Sequence, residues 1–211
     1  MKIETIKLED SSGIQLIRLP DNFKINDDKV YLKKVGDVLY VIPYHNAWQS
    51  LVLAVNEFTD DFMEERAQPG GQKRESIDSW NIYWTPNICI YTIKQKPEKV
   101  FERFKELKLG EVCISTITLA ELQYGVTKSL RPDKNQSALN HFLIPLEIVN
   151  FDTAATIEYG KIRSQLEKEG QPIGSLDTLI AAHAKSLNLI LVTNNVREFS
   201  RIEELKIENW L

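Results

Sequence analysis

A chain of 211 residues, 43% hydrophobic and 27% charged, has an ordinary globular composition, with room for one medium domain or two small ones. MKIETIKLED at the N-terminus lacks an apolar signal core and no apolar run approaches a membrane span, so a cytoplasmic protein with no membrane partner is expected. Cys89 and Cys113 lie in apolar runs without CxxC or His spacing, which favours core thiols over a disulfide or a zinc site.

The net charge of −4 is unevenly placed: residues 1–45 and 81–211 each balance, and the whole excess falls within 46–80. A distinct interaction arm between two neutral ends explains this, and so does a solvated acidic linker.

Residues 1–45 alternate as strands do, in IQLIRL (14–19), KVYLKKV (29–35) and VLYVIPY (38–44), with Gly36-Asp37 as a hairpin turn. Such a small all-β unit is too short to bury a sufficient core alone and is expected to dimerise or lean on another surface. Within 46–80, Trp48, Leu51, Val52, Val55, Phe58 and Phe62 recur near helical spacing, predicting an amphipathic helix over 48–62, broken near Phe58 to Asp60. Its apolar face has no partner inside the segment, so it must dock elsewhere, and Gln68-Pro69-Gly70-Gly71 ends regular structure.

Residues 81–211 alternate strand and helix: NIYW, helices near 86–94 and 97–107, EVCIS, TITLAELQYGVTKSL, a helix near 134–143, LEIVNF, a helix over 153–168, SLDTLIAAHAKSLN, LILVT and a closing KIENWL. Short β-branched runs separated by helices predict an α/β domain with a parallel sheet flanked by helices. The crevice of such a sheet lies beyond the carboxyl ends of its strands. Thr85-Pro86-Asn87, Glu121, Asp177, Asn194, Asn195 and Glu198 fall there. Glu121, Asp177 and Glu198 are acids among apolar neighbours, an expensive place for charge unless a cation compensates. Clustered, they would suit Mg²⁺ or Mn²⁺, able to activate water at a phosphodiester. Each acid also has a bland reading: Asp177 as a first-turn acid on a helix dipole, Glu121 as a solvated helix position.

From Asn87 to Leu211 the motifs NICIYTIK, CISTITLAELQYG, PIGSLDTLIAAHAKSLNLILVTNNVREF and KIENWL resemble, in order, the PIN-domain toxins of the VapC family. Residues 1 to about 75, with IRLPDNF and WQSLVLAVNEFTDDFMEERAQP, resemble the VapB antitoxin, an AbrB-like swapped β-barrel that binds DNA. The resemblance implies three parts: a DNA-binding dimerisation domain over 1–45, an antitoxin arm and linker over 46–80, and a PIN domain over 81–211. It further implies a Mg²⁺-dependent ribonuclease acting on RNA, tRNA among relatives, with metal ligands Glu121, Asp177 and Glu198 and with Asn87, Thr193 and Asn195 in the same pocket. Partners implied are operator DNA, through Arg18 and Gln15, and further copies of the chain in a homo-oligomer. The arm, anchored by Trp48 and Phe62, would place an arginine in the acidic site; Arg66 is the first candidate and Arg74 the second.

Where this family usually reads Leu-Asp-Thr-Asn, the chain reads Trp84-Thr85-Pro86-Asn87, so the first acidic ligand is absent. The codons TAT TTG GAC ACC AAT, after losing one T and gaining one A, become TAT TGG ACA CCA AAT, which encodes the residues present. Asp78 precedes the strand and is a poor substitute. The N-terminal part departs too: Gly13 and Ile14 precede QLIRLP and Asp21 follows it, and a net charge of zero over 1–45 predicts weak nonspecific DNA affinity. Two functions are therefore expected to compete: a self-neutralised, impaired PIN ribonuclease, and a DNA-binding autoregulator carrying an inert PIN scaffold.

Overall fold

The computed structural model describes residues 5–63 and 82–211. By packing, the chain divides into Met1–Ala47 and Trp48–Leu211.

In the first unit two antiparallel hairpins form, β1 (Leu8–Ser11) with β2 (Ile14–Ile17) and β3 (Val30–Val35) with β4 (Val38–Pro43). The second pair follows the alternation and the Gly36-Asp37 turn. Strand β1 was not expected, because LEDS is polar and lacks alternation; it exists because Ser12 and Gly13 both take positive φ (55° and 78°) and fold it back on β2. Gly13, a departure from the family pattern, is thus a turn residue. The Asp27 carboxylate ties the approach to β3 to the exit of β4, accepting from the His45 backbone N–H (2.9 Å) and lying 2.7 Å from His45 Nδ1. The backbone N–H, above all, holds its pKa below the usual carboxylate range. Leu8, Ile14, Leu32, Val35 and Val38 remain more than half exposed, so the two hairpins leave much apolar surface uncovered.

In the second unit the helix α1 (Gln49–Val55) precedes β5 (Ile82–Trp84), α2 (Pro86–Lys94), α3 (Glu98–Lys105), β6 (Val112–Ser115), α4 (Thr116–Lys128) and α5 (Pro132–Leu143). Then come β7 (Glu147–Val149), α6 (Thr153–Lys168), α7 (Ser175–Ser186), β8 (Ile190–Val192), α8 (Val196–Phe199) and β9 (Ile207–Glu208). The strands form one parallel sheet in the order β7-β6-β5-β8-β9. Side chains alternate across it, so Tyr83, Cys113 and Leu191 pack under α6 and α7 while Trp84, Ile114 and Val192 face the core beneath α2 to α5. Both cysteines are buried free thiols, and burial pushes the Cys113 thiol up to about 12. No described helix is long and apolar enough to cross a membrane.

The arm joins this second core. Its helix stops at Val55, shortly before the break expected near Phe58 to Asp60, because Asn56 turns its side chain back to the Val52 carbonyl (3.2 Å) and the Thr59 N–H is taken by the Asn135 carboxamide (2.8 Å). A separate turn, closed by Phe62 N–H to the Thr59 carbonyl (3.0 Å), follows. Leu51 and Ala54 are fully buried and Phe62 is 1% exposed. Trp48 donates through Nε1 to the Leu107 carbonyl (2.6 Å) and sets its ring edge-on to Phe104 at 4.7 Å. Phe58 packs on Phe62 and Phe142.

On the opposite side of the sheet His183 of α7 is fully buried, its Nδ1 2.9 Å from both Tyr83 Oη and Ser115 Oγ. This three-way contact ties α7 to β5 and β6. Burial lowers the His183 pKa from its ordinary value of 6.5, against the opposing charge of Asp152.

Two outcomes are expected. Leu51→Ala should lower the stability of the Trp48–Leu211 unit by about 2–4 kcal/mol in urea unfolding, since it empties a fully buried leucine site. His183 is held neutral in the fold while the unfolded chain binds its proton near pH 6.5, so its contribution is fully present above that pH and is lost as pH falls below it. The urea midpoint should therefore drop between pH 7 and pH 5, and His183→Gln should lower the midpoint overall but flatten that slope.

Candidate active site

Helices in a parallel α/β sheet run against their strands, so their N-termini gather at the carboxyl edge of the sheet. Three of them carry the sequence-predicted acids. Glu121 stands in the second turn of α4, which Ser115 caps by accepting the Ile117 N–H (3.0 Å). Asp177 is in the first turn of α7, three residues past Gly174. Glu198 lies on α8, directly after the Thr193-Asn194-Asn195 turn that leaves β8. All three are half-buried.

Hydrogen bonds stitch the strand ends together. Thr193 Oγ accepts the Asn195 N–H (3.0 Å), shaping the turn, and Asn195 Nδ2 reaches Asp177 Oδ2 at 3.5 Å, so α7 and the β8 exit meet. Asn87 donates through Nδ2 to Asn194 Oδ1 (3.2 Å), and Asn194 donates in turn to the Tyr91 hydroxyl (2.5 Å). Asn87, Asn194 and Asn195 are all buried. Desolvation raises the Tyr91 pKa, with the Asn194 bond working the other way. Tyr91 was not among the expected pocket residues; its signal is its place one helical turn after Asn87, on the same face of α2.

Thr85 occupies the centre, at the end of the middle strand. It is 1% exposed, and its N–H (3.2 Å) and hydroxyl (3.1 Å) both donate to the Val192 carbonyl. The hydroxyl is thus committed to the backbone of β8. Beside it Trp84 is fully buried, edge-on to Phe104 and Trp210 at 5.8 Å, and its Nε1–H has no hydrogen-bond partner among the described residues.

The donor chemistry of Glu121, Asp177 and Glu198, carboxylate oxygens at one edge of a sheet with the Asn195 carboxamide against Asp177, fits a hard divalent cation. At Thr85 the fit is poorer, since a neutral hydroxyl bonded elsewhere adds no negative charge. Of the other expected residues, Trp48 and Phe62 anchor the arm as described, while Arg66, Arg74 and Asp78 lie outside the described residues. In the first unit Gln15 sits on β2 opposite Asp10. Arg18 is exposed and pairs with Glu9 at 3.1 Å. Among the described residues, the three potential metal-ligand atoms that lie within 4.8 Å of one another are those of Asp27, Asp28 and His45, where the Asp27–His45 bonds already account for the geometry; Glu121, Asp177 and Glu198 are not drawn together as closely.

Comparison with known proteins agrees with this architecture. The PIN domain pattern matches residues 87–205. The tRNA(fMet)-specific endonuclease VapC of Salmonella typhimurium is 49% identical over 124 residues, 59% of this chain and 93% of that protein. Among solved structures, VapBC2 from Rickettsia felis bound to a promoter DNA fragment aligns with a TM-score of 0.58 and 46% identity, covering 62% of this chain and 99% of that one. DNA-bound VapBC from Salmonella typhimurium aligns at 0.59 and 45%, covering 63% and 100%. With its parallel sheet, its strand-end acids and these relatives over its C-terminal part, the chain belongs to the PIN-domain family, alongside the VapC ribonucleases.

Proposed function

We propose that this protein is a PIN endoribonuclease fused to its own VapB-like antitoxin segment, masked by that segment and impaired at the metal site. The observation that carries the reading is the seating of Trp48–Met63 in the core of the PIN unit of the same chain. The segment matches the motif by which the sequence resembles an antitoxin arm. Residues 1–45 would supply the AbrB-like, DNA-binding dimerisation domain, with Arg18 and Gln15 toward operator DNA. Their exposed apolar strands suit a second copy of the chain.

Glu121, Asp177 and Glu198 would hold Mg²⁺ or Mn²⁺, with Asn195 orienting Asp177 and the Asn87–Asn194–Tyr91 chain fixing the α2 side of the pocket. When bound, the cation would polarise the phosphodiester and its attacking water. The name of one relative, a tRNA(fMet)-specific endonuclease, supports a tRNA-like RNA as the substrate class. Arg66, following the docked arm, would set a cation against the carboxylates in place of the metal.

Impairment rests on Thr85. Its hydroxyl is bonded to Val192, so the site lacks one anionic ligand, and Pro86 fixes the backbone beside it. The Trp84 N–H, unpaired among the described residues, is what a Leu to Trp change in a closed core would leave behind, at a cost of about 1–3 kcal/mol. The same observations favour a second reading, a DNA-binding autoregulator whose PIN domain is an inert scaffold.

Thr85→Asp with Pro86→Thr in the full chain should raise Mg²⁺ affinity about tenfold or more, because ligand charge sets the affinity for a hard cation. Adding Arg66→Ala should then release Mg²⁺-dependent cleavage of structured RNA, and Asp177→Asn in that background should remove it. If the unaltered chain already cuts RNA with a Mg²⁺ requirement, impairment is wrong; if the repaired, unmasked chain binds Mg²⁺ yet never cuts, the inert scaffold stands.

A further inference from the structure

A removable inhibitor and a structural wall leave different marks on an interface. An inhibitor that comes and goes covers a surface that is stable and soluble without it. Here, with the arm seated, Leu51, Ala54 and Phe62 share one continuous buried core with Ile88, Phe104, Leu122, Leu139 and Phe142. That core is the same one that packs Trp84 and Ile114 on the sheet.

The polar contacts are equally specific. Asn135 of α5 is fully buried, and its carboxamide reads the arm at one residue: Oδ1 accepts the Thr59 N–H (2.8 Å) while Nδ2 donates to Thr59 Oγ (2.6 Å) and to Ser129 Oγ (2.8 Å). Asp61 accepts the Leu130 N–H (2.6 Å) where α4 gives way to α5. Gly125 of α4 completes the fit. A Cβ there would collide with Met63 Sδ and stand 3.3 Å from Phe62 Cε2, so the arm lies against bare helix backbone. A one-residue slip of the arm would cost the buried Asn135 both of its bonds to Thr59 and leave its Oδ1 without the donor it has here, which is expensive in an apolar surround.

We propose that Trp48–Met63 is a permanent wall of the PIN unit, locked in register by Asn135 as a positioning residue, and that it unfolds only when the unit as a whole unfolds. The inference deepens the masking described above by making the mask irreversible: it cannot lift while the domain remains folded. Covalent linkage acts in the same direction, since the arm never leaves the neighbourhood of its groove.

Native-state hydrogen exchange on the full chain, read by NMR without metal or RNA, tests this. The amides of Val52, Thr59 and Phe62 should show protection within about tenfold of those in β6 and α4, the signature of a single cooperative unit. Arm protection lower by more than that, with β6 and α4 unchanged, would overturn the proposal. Asn135→Ala should reduce protection in the arm, α4 and β6 by a common factor, whereas loss confined to residues 48–63 would show a detachable arm. Should that variant not fold, the wild-type comparison decides alone. Since no cleavage is measured, uniform exchange in a chain whose repaired site stays silent would sink the ribonuclease reading and leave this one standing.

Discussion

The burial of one apolar stripe, running from Trp48 to Phe62, governs how the larger unit is organised. The stripe cannot be satisfied within its own segment, and the groove that receives it, between α2, α3, α4 and α5, is lined by side chains that belong inside a core. Both surfaces are apolar, so burying one against the other is favourable. The sheet, the four helices on that face and the arm consequently form one hydrophobic body. The opposite face is closed separately by α6 and α7 around Tyr83, Leu191 and Ile180.

Much of the second unit was legible in the sequence. The β-branched runs at 112–115 and 190–192 and the helix over 153–168 follow from period and propensity, because a buried parallel strand and a long amphipathic helix have little alternative. The positions of Glu121, Asp177 and Glu198 at the sheet edge follow from topology alone. What periodicity missed depended on partners distant in sequence. The early end of α1 is imposed by Asn135, 76 residues beyond Thr59; β1 is the exception, a local strand that the Ser12-Gly13 turn folds onto β2 despite its polar sequence. The Asn87–Asn194–Tyr91 chain joins residues more than a hundred positions apart. No local pattern encodes such bonds.

Thr85, at the centre of the proposed site, serves the fold. Thr85 keeps the junction between β5 and α2 extended, and its two bonds to Val192 add to the pairing of β5 with β8. A threonine there therefore serves the sheet and offers the crevice no charge. Stability and chemistry are separable at this position: the strand needs a backbone conformation and a small polar group, whereas a cation needs an anion. One residue earlier, the indole N–H of Trp84 is buried without a partner among the described residues.

The order of segments along the chain adds a kinetic consequence. Trp48–Met63 precedes Ile82, so a ribosome delivers the arm before any part of the groove exists. As α2 to α5 emerge in turn, their apolar faces find the arm already present on the same polypeptide, and collapse can proceed around it. At no stage of synthesis does a finished groove stand open. In an arrangement with the arm on a separate molecule, the domain would have to survive an interval with that groove exposed to water and to other nascent chains. Here the segment that closes the core also chaperones its formation.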